Sequence, residues 1–391
     1  MVYKLPPELV IEEIRETGID PASLPIFQKK SSFLSIKVTD VLSPAASIIK
    51  QEMLSAGGDA AVHRNVINCK VEKSNVILMG TEAQIEKAAK KLLQMDYWGL
   101  RETGREILKI LKPVSWKIQI RGREYNFSEN TYLMGIINVT PDSFFEGSRV
   151  NPQRAGEIAE RMVEDGADFL DIGGESSRPG AAPVSEEEEL QRVIPAIREI
   201  RKRVDVPISI DTYKARVAAE AIKEGADIIN DISALRFDPK MAEVAAEAGV
   251  PVILMHMKGT PRDMQKNPYY DDAVLEIAEF LKERAEFAQK FGIRDIILDP
   301  GIGFGKRVED NIKIINSIPS FLSLGYPLLM GHSRKSFMGA TTGAPVEHRI
   351  YTTVALTLYF ALRGVSIIRI HDVYENKLAL KLAEAMQWST L

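Results

Sequence analysis

The stretch YLMGIINVT, residues 132–140, is a nearly continuous apolar run that becomes polar only at its end. Parallel strands that are buried on both faces have this composition. The pattern recurs along the rest of the chain, and the predicted strands are 132–140, 169–175, 207–212, 227–233, 251–257, 295–303, 326–333 and 366–373. Amphipathic segments such as PKMAEVAAEAG (239–249) separate them and have the spacing of helices.

Eight strand–helix units predict an α/β fold, specifically a closed (β/α)8 TIM barrel. The alternative is an open, doubly wound sheet, which usually has fewer strands and a glycine-rich phosphate loop after its first strand. Here the first strand leads into INVTPDSF (137–144), which contains no G-x-G-x-x-G. The barrel is therefore the favoured architecture.

The residues before the barrel follow a different pattern and predict a small α+β domain over 1–115, which leaves 116–391 for the barrel. Alternation predicts a strand over 33–40 and two more within 66–80, while helical spacing predicts helices over 45–56 and 81–95. Cys69, within the alternating stretch VINCKV, is interpreted as a packed side chain. The segment 116–128 predicts a β-hairpin that turns at Gly122. No catalytic constellation occurs before residue 130, so this domain receives no role.

The bulk composition excludes several classes of protein. A net charge of −4 over 391 residues argues against a dedicated nucleic-acid binder. The single cysteine cannot form an internal disulfide or a cysteine-rich metal site. The amino terminus lacks the pattern of a signal peptide, and no apolar run approaches the roughly 18 residues of a membrane span. We expect a cytoplasmic protein without nucleic-acid or membrane partners.

Polar residues cluster where the predicted strands end. They are Asn138, Asp171, Glu175, Asp211, Asn230, Asp231, His256, Asp299, Arg369 and His371. In this fold, active sites form at the carboxyl ends of the strands. Buried charges are costly unless they are paired or used. Together these residues predict an active site at the mouth of the barrel.

The residue types suggest what the site binds. Asp211, Asp299 and Asn230 suit a flat heterocycle that presents N–H donors, because carboxylates only accept hydrogen bonds and an amide also donates them. Arg369 and His371, at alternate positions of one strand, would join Lys335 in supplying positive charge for an anion. Asn138 is a candidate oxygen ligand for Mg²⁺ shared with phosphate oxygens.

Other features near the strand ends have simpler interpretations. The long loops 140–149 and 173–183 are predicted to be mobile lids over the barrel mouth. His256 is interpreted as a core histidine in preference to a catalytic base. The segment GIGFGK (301–306) lacks the G-K-[ST] of a phosphate loop and is interpreted as a turn at a strand end.

Seven segments, each near the end of a predicted strand, together resemble the dihydropteroate synthases. They are INVTPDSF (137–144), GGESSRPG (173–180), SIDT (209–212), INDIS (229–233), LDPGIGFGK (298–306), SRKSF (333–337) and RIHDV (369–373). The resemblance covers residues 131–391. It implies condensation of 6-hydroxymethyl-7,8-dihydropterin diphosphate with 4-aminobenzoate to give 7,8-dihydropteroate and diphosphate, with Mg²⁺ as cofactor. It also implies a homodimer formed through outer barrel helices, and sulfonamides as competitors of the aminobenzoate.

The resemblance further implies roles for individual residues. Asn138 would hold Mg²⁺, and the catalytic set would be Asp211, Lys335, Arg369 and His371. The implied substrate contacts are Ser177, Arg178, Pro179, Asp211, Asn230, Met255, Asp299, Phe304, Lys335, Ser336, Arg369 and His371.

Two rival functions share part of this pattern. A methyltetrahydrofolate-dependent methyltransferase resembles the barrel and its Asp/Asn contacts, but it releases no diphosphate and would not need SRKSF or RIHDV. A non-catalytic pterin-binding protein predicts damage among the diphosphate groups, and none is evident. Diphosphate release in the presence of both substrates separates these functions.

Overall fold

The computed structural model describes residues 1–112, 114–139, 152–176, 180 and 183–388. The chain divides into two compact units, Met1–Pro113 and Val114–Met386. Within the described residues, no helix is both long enough and apolar enough to cross a membrane.

The first unit is a three-stranded antiparallel sheet with helices packed on it. The strand order is β1-β3-β2, and the core includes Ile49, Met53, Leu78 and Ile85. The elements are α1 (Val10–Glu16), α2 (Leu24–Ser31), β1 (Phe33–Leu42), α3 (Ser43–Ala56), β2 (Asp59–Ala61), β3 (Lys73–Thr81), α4 (Glu82–Leu92) and α5 (Leu100–Ile110). Helix α4 lies within the predicted segment 81–95, and Thr81 and Gln84 form a reciprocal capping box at its start.

Two sequence predictions in this unit are wrong. Residues 66–72 form turns instead of a strand, and Cys69 is exposed with φ 53° instead of packed. The side chain of Asn68 accepts a hydrogen bond from the Lys70 amide at 3.1 Å, a local bond that competes with strand pairing. The alternating pattern of apolar and polar residues does not match burial here, because Ile67, one of the apolar residues, is 89% exposed.

The second unit is the predicted barrel. All eight strands are parallel and follow one another around the sheet in chain order. They are β6 (Tyr132–Asn138), β7 (Phe169–Gly173), β8 (Ile208–Asp211), β9 (Ile228–Asp231), β10 (Val252–Met255), β11 (Ile296–Asp299), β12 (Leu329–Met330) and β13 (Ile367–Ile370). A bridge between Leu298 and Leu328 joins β11 to the start of β12 and closes the ring. The open-sheet alternative is therefore wrong.

Helices surround the strands and bury their apolar faces against them in one large core. They are α6 (Pro152–Glu164), α7 (Glu186–Arg203), α8 (Ala215–Lys223), α9 (Met241–Ala248), α10 (Ala273–Lys290), α11 (Val308–Asn316), α12 (Ile318–Leu322), α13 (Ser336–Thr342), α14 (Arg349–Leu362) and α15 (Val373–Trp388). This alternation of buried strands and amphipathic helices gives the two-layered wall that the sequence predicts.

The predicted hairpin closes the amino-terminal end of the barrel. Strands β4 (Lys117–Ile120) and β5 (Arg123–Asn126) meet at Arg121 and Gly122, both with positive φ. Tyr125 and Phe127 pack on Phe169, the first residue of β7, with ring centroids 4.8 and 6.2 Å away. Because this end is filled by aromatic and aliphatic side chains, the opposite end is left for polar groups.

Candidate active site

Strand register aligns the polar side chains at the carboxyl ends of the strands. Gly173 of β7 is paired with Asp211 of β8, which is paired with Asn230 of β9. Further around the barrel, next to β9, Met255 of β10 is paired with Asp299 of β11. Residues two apart on a strand share a face, and Phe169 lies in the barrel floor. Asp171, two residues further on, therefore points into the same interior.

Arg369 lies at the centre of this polar layer. Its Nε donates to Asp171 Oδ2 at 2.5 Å, and its Nη2 donates to Asp211 Oδ2 at 2.7 Å. Asn230 Nδ2 donates to the same oxygen of Asp171 at 3.2 Å. The guanidinium thus ties together strands β7, β8 and β13, and one buried carboxylate oxygen orients both the arginine and the amide.

Burial dominates the electrostatics of the acidic groups. It raises the pKa of Asp211 to about 7, although the nearby Arg369 lowers that pKa. Burial also raises the pKa of Asp299, against the effect of the hydrogen bond from the Gly301 amide and the charge of Lys335. Shifts of this kind, at paired groups in a cleft, are typical of functional sites.

Lys335 faces these carboxylates from the loop after β12. Its Nζ lies 3.8 Å from the centre of the Phe304 ring, a cation–π contact. Phe304 belongs to an apolar cluster with Met255, Ile232 and Met257. Burial and the charge of Arg369 lower the pKa of Lys335 to about 7. The site therefore has an apolar wall next to an ammonium group that titrates near neutral pH.

His371 lies two residues after Arg369 and is held by Ser333. Its Nδ1 is 2.9 Å from Ser333 Oγ, and its backbone amide donates to the same oxygen at 3.2 Å. Burial, with the charge of Arg369, lowers the pKa of His371 to about 4. The shift favours the neutral imidazole near pH 7, which offers an N–H group where the sequence suggested a positive charge.

Asn138 ends β6 beside Gly173. A Cβ built on Gly173 would lie 3.8 Å from Asn138 Oδ1 and 3.7 Å from Asp211 Oδ2, so both oxygens face the space that this glycine leaves open. Amide and carboxylate oxygens are the ligand types that Mg²⁺ prefers. Within the described residues there is no group of three or more His, Cys, Asp or Glu that could hold a metal ion.

The remaining predicted contacts are placed less centrally or cannot be placed. Ser336 is exposed and begins α13, directly after Lys335. Ser177, Arg178 and Pro179 lie outside the described residues, as does the first predicted lid (140–149). The second predicted lid, 173–183, is described only in part.

Two strand-end residues have structural roles. Asp231 is fully buried and accepts hydrogen bonds from the amides of Ser233 and Leu235, at 2.7 and 2.8 Å. Glu175 accepts from Tyr213 Oη at 2.8 Å and from Lys214 Nζ at 2.5 Å. Their oxygens hold loops in place around the barrel mouth.

The sequence interpretation underestimated two buried residues. Asp171 was noted at a strand end but given no role, although its period-two spacing from Phe169 and Gly173 indicates that it faces inward. Lys306 ends the segment interpreted as a turn, and it is only 3% exposed. Its Nζ lies 2.9 Å from Nδ1 of His256, which confirms that His256 is a buried core histidine. The sequence feature that could have indicated a role for Lys306 is its position at the end of a glycine-rich loop.

Comparison with known proteins identifies the family. The family model for pterin binding enzymes matches residues 134–371. A dihydropteroate synthase from Clostridium beijerinckii is 45% identical over 271 residues, which cover 68% of this chain and 98% of that protein. The chain belongs to the dihydropteroate synthase family of pterin binding enzymes.

Solved structures of family members resemble the barrel. A Yersinia pestis dihydropteroate synthase in complex with a sulfonamide drug and a Xanthomonas albilineans dihydropteroate synthase with 4-aminobenzoic acid each align with a TM-score of 0.66 and 42% identity. Both cover 70% of this chain, and the alignments span 99% and 98% of the two structures. The barrel of this chain is therefore shared with family members whose structures were solved with small molecules bound.

A second group of relatives extends beyond the barrel. A probable bifunctional folylpolyglutamate synthase/dihydropteroate synthase from Haloferax volcanii is 39% identical over 361 residues, which cover 89% of this chain and 42% of that protein. Val114–Met386 makes up only about 70% of the chain. The similarity therefore includes part of Met1–Pro113, so this unit also has a counterpart in a family member.

Proposed function

We propose that this chain is a dihydropteroate synthase that joins 6-hydroxymethyl-7,8-dihydropterin diphosphate to 4-aminobenzoate. The observation that carries the proposal is the arrangement around Arg369, which contacts Asp171 and Asp211 in the barrel interior and lies near Lys335. Carboxylates that can accept hydrogen bonds from the pterin ring and cations that can bind the diphosphate therefore occur in one site. Membership of the family supports the same conclusion.

Recognition of the pterin uses hydrogen-bond acceptors that are already oriented. Asn230 donates its amide N–H to Asp171, which leaves its carbonyl oxygen to accept from a ring N–H. Asp299 and Asp211 are acceptors on either side of it. In the bound state Asp211 would accept from the ring in place of Arg369, and the arginine would turn toward the diphosphate.

The reaction exchanges a C–O bond for a C–N bond. The bond between the pterin methylene and the diphosphate breaks, and its electron pair leaves with the diphosphate. The arylamine nitrogen attacks the methylene and then loses a proton to water. Arg369 binds the departing oxygens in a fork geometry, and His371 donates an N–H. Ionised Asp211 and Asp299 stabilise positive charge that develops on the pterin.

Mg²⁺ fits the oxygen atoms at the end of β6. Asn138 would hold the ion, with the phosphate oxygens of the substrate and water completing its shell. When bound, Mg²⁺ supplies charge neutralisation for the diphosphate. The open space at Gly173, faced by Asn138 Oδ1 and Asp211 Oδ2, supports this assignment.

The aminobenzoate would bind beside Lys335 and Phe304. The Phe304 ring gives a flat, apolar wall, the Lys335 ammonium lies over it, and Ser336 at the start of α13 follows Lys335. Ser177, Arg178 and Pro179 would complete this subsite from the second loop. Sulfonamides, which carry a similar aniline ring, would compete for it.

A coupled assay of diphosphate release tests the proposal. Purified full-length chain, with Mg²⁺ and both substrates, should release one diphosphate for each dihydropteroate formed. Asp211→Asn and Lys335→Ala should each lose activity. Near-normal turnover by both variants would contradict the assignment, and pterin binding without turnover by the parent chain would support a non-catalytic binder.

We also propose that 116–391 forms the catalytic domain and that 1–115 is an addition to it. The relative from Clostridium beijerinckii supports this division, because its alignment spans 98% of that protein but only 68% of this chain. A variant that begins at Val114, and so keeps the whole hairpin, should retain turnover. Loss of activity by a folded variant would instead assign the first unit a part in catalysis.

We propose in addition that the chain forms a homodimer through its outer barrel helices. Helix α15 exposes Tyr374, Leu378 and Leu382 at every fourth position, each more than half exposed, which gives an apolar stripe along one face. Sedimentation should show a dimer that Leu378→Lys with Leu382→Lys converts to a monomer. The matched change Phe291→Lys, at an exposed phenylalanine after α10, should leave the dimer intact.

A further inference from the structure

The loop after β11 contains a buried lysine that the reaction above does not use. Lys306 Nζ lies 2.9 Å from His256 Nδ1, 3.2 Å from the His256 carbonyl oxygen and 2.9 Å from the Phe304 carbonyl oxygen. An ammonium group has three N–H donors, so these three acceptors satisfy it. When Lys306 is protonated, His256 Nδ1 accepts in this arrangement, and the proton of the neutral imidazole is on Nε2.

The acceptors belong to two different loops that are pressed together. The His256 carbonyl follows β10, and Phe304 lies in the loop after β11. A Cβ on Gly301 would lie 2.0 Å from the His256 oxygen, and one on Gly305 would lie 2.6 Å from the Lys258 oxygen. The backbones of the two loops are therefore in contact at both glycines, and the Lys306 side chain bridges this contact.

The same loop carries a wall of the site. The Phe304 ring contacts Lys335 Nζ at 3.8 Å, and a Cβ on Gly303 would lie 3.0 Å from Lys335 Cδ. The backbone of Phe304 is thus fixed by Lys306, and its ring supports Lys335. A displacement of this loop would move both members of the ring–ammonium pair.

We propose that Lys306 is a positioning residue for the synthase reaction, which holds Phe304, and through it Lys335, against the aminobenzoate. The inference rests on the proposed function and deepens it. It predicts that Lys306 affects the binding of one substrate more than the other, because the groups that it supports form the aminobenzoate wall and touch the pterin less.

Charge coupling adds a second signature. Burial lowers the pKa of Lys306 to about 7, while Asp299 and Asp310 raise it and Lys335 lowers it. Removal of the Lys306 charge should therefore let the pKa of Lys335 rise. The other titratable and charged groups that interact with Lys335 are Arg369, Asp299, Asp211, His332 and His371.

The test is Lys306→Met in the full-length chain, which shortens the side chain by only one atom but removes the charge and the donors. The KM for 4-aminobenzoate should rise about tenfold, while kcat and the KM for the pterin diphosphate change less than about threefold. The alkaline limb of the pH profile of kcat/KM should move to higher pH. Lys290→Met, at the exposed end of α10, is the control and should change none of these values.

A second variant tests the proposal if Lys306→Met does not fold. Lys306→Ala leaves a cavity that ethylammonium can fill, and the added amine should lower the KM for aminobenzoate again. Equal changes in both KM values, no change at all, or loss of the fold in both variants would overturn the positioning role in favour of a purely structural one. An inactive parent chain would instead contradict the proposed function.

Discussion

Arg369 lies between two carboxylates, with Nε 2.5 Å from Asp171 Oδ2 and Nη2 2.7 Å from Asp211 Oδ2. A buried carboxylate is stable only when it is paired, and removal of its partner is strongly destabilising. The arginine therefore allows two acidic residues to coexist in the barrel interior. It must also exchange one of these bonds for phosphate oxygens when the diphosphate binds.

Arg369→Lys should lower kcat/KM about 10²- to 10³-fold, because a lysine cannot bridge two carboxylates or grip phosphate in a fork. The rate of diphosphate release measures this. Binding of the pterin alcohol, which lacks the diphosphate, should weaken much less. Arg363→Lys, at an exposed arginine stacked on Tyr359, is the matched control and should behave like the parent chain. Equal losses for the alcohol and the diphosphate would contradict the assignment.

Asp171→Asn should weaken pterin binding about tenfold, since loss of a charged hydrogen-bond partner costs roughly 1–3 kcal/mol. The fully buried Asp171 accepts a hydrogen bond from Asn230 and so orients the side chain of Asn230. An asparagine at position 171 also presents N–H donors, so it would no longer hold Asn230 in a single orientation. Calorimetric titration with a non-reactive pterin gives the affinity. Asp295→Asn, at the amino-terminal end of β11, removes a carboxylate from the opposite end of the barrel and should leave binding unchanged. Unaltered affinity in Asp171→Asn would exclude this role.

The barrel could be predicted because each strand is a separate apolar run with its polar residues at one end, as in FLDIGGE (169–175). Parallel topology then brings those ends together without any knowledge of distances. In the first unit the same reasoning failed at Cys69, because local hydrogen bonds, among them those that the Lys70 amide donates to Asn68 Oδ1 and the Asn65 carbonyl, hold a turn there. Local hydrogen bonds of this kind leave little trace in the hydrophobic pattern.

The site was predictable in its residue types but not in its pairings. Asp211 and Arg369 were both expected in it, yet their direct contact depends on strands that are 158 residues apart in the sequence. The lowered pKa of His371 is due to burial and to the charge of Arg369, which only the packed structure provides. Lys306 was missed because its partners are backbone carbonyls and His256, none of which a motif reveals.

The pH dependence of kcat/KM should be a narrow bell centred near neutral pH, because this ratio reports groups of the free enzyme. Asp211, with its pKa raised to about 7 by burial, must be ionised, so activity rises as the pH increases through that value. Lys335, with its pKa lowered to about 7, must be protonated, so activity falls as the pH increases further. Initial rates across the range, with Asp295→Asn as control, check this. A profile that stays flat on both sides of neutrality would contradict it.

Gly301→Ala should destabilise the barrel far more than Gly292→Ala. Both glycines have positive φ, at 68° and 92°, a conformation that costs other residues roughly 1–2 kcal/mol. A Cβ on Gly301 would also lie 2.0 Å from the His256 carbonyl oxygen, whereas one on Gly292 meets nothing within 4 Å. Denaturant unfolding should show a loss of more than about 3 kcal/mol for Gly301→Ala, since a backbone clash cannot relax as a side chain does. Equal losses of unfolding free energy would mean that the loops after β10 and β11 can move apart without cost. Lys306 would then not be needed to hold them together.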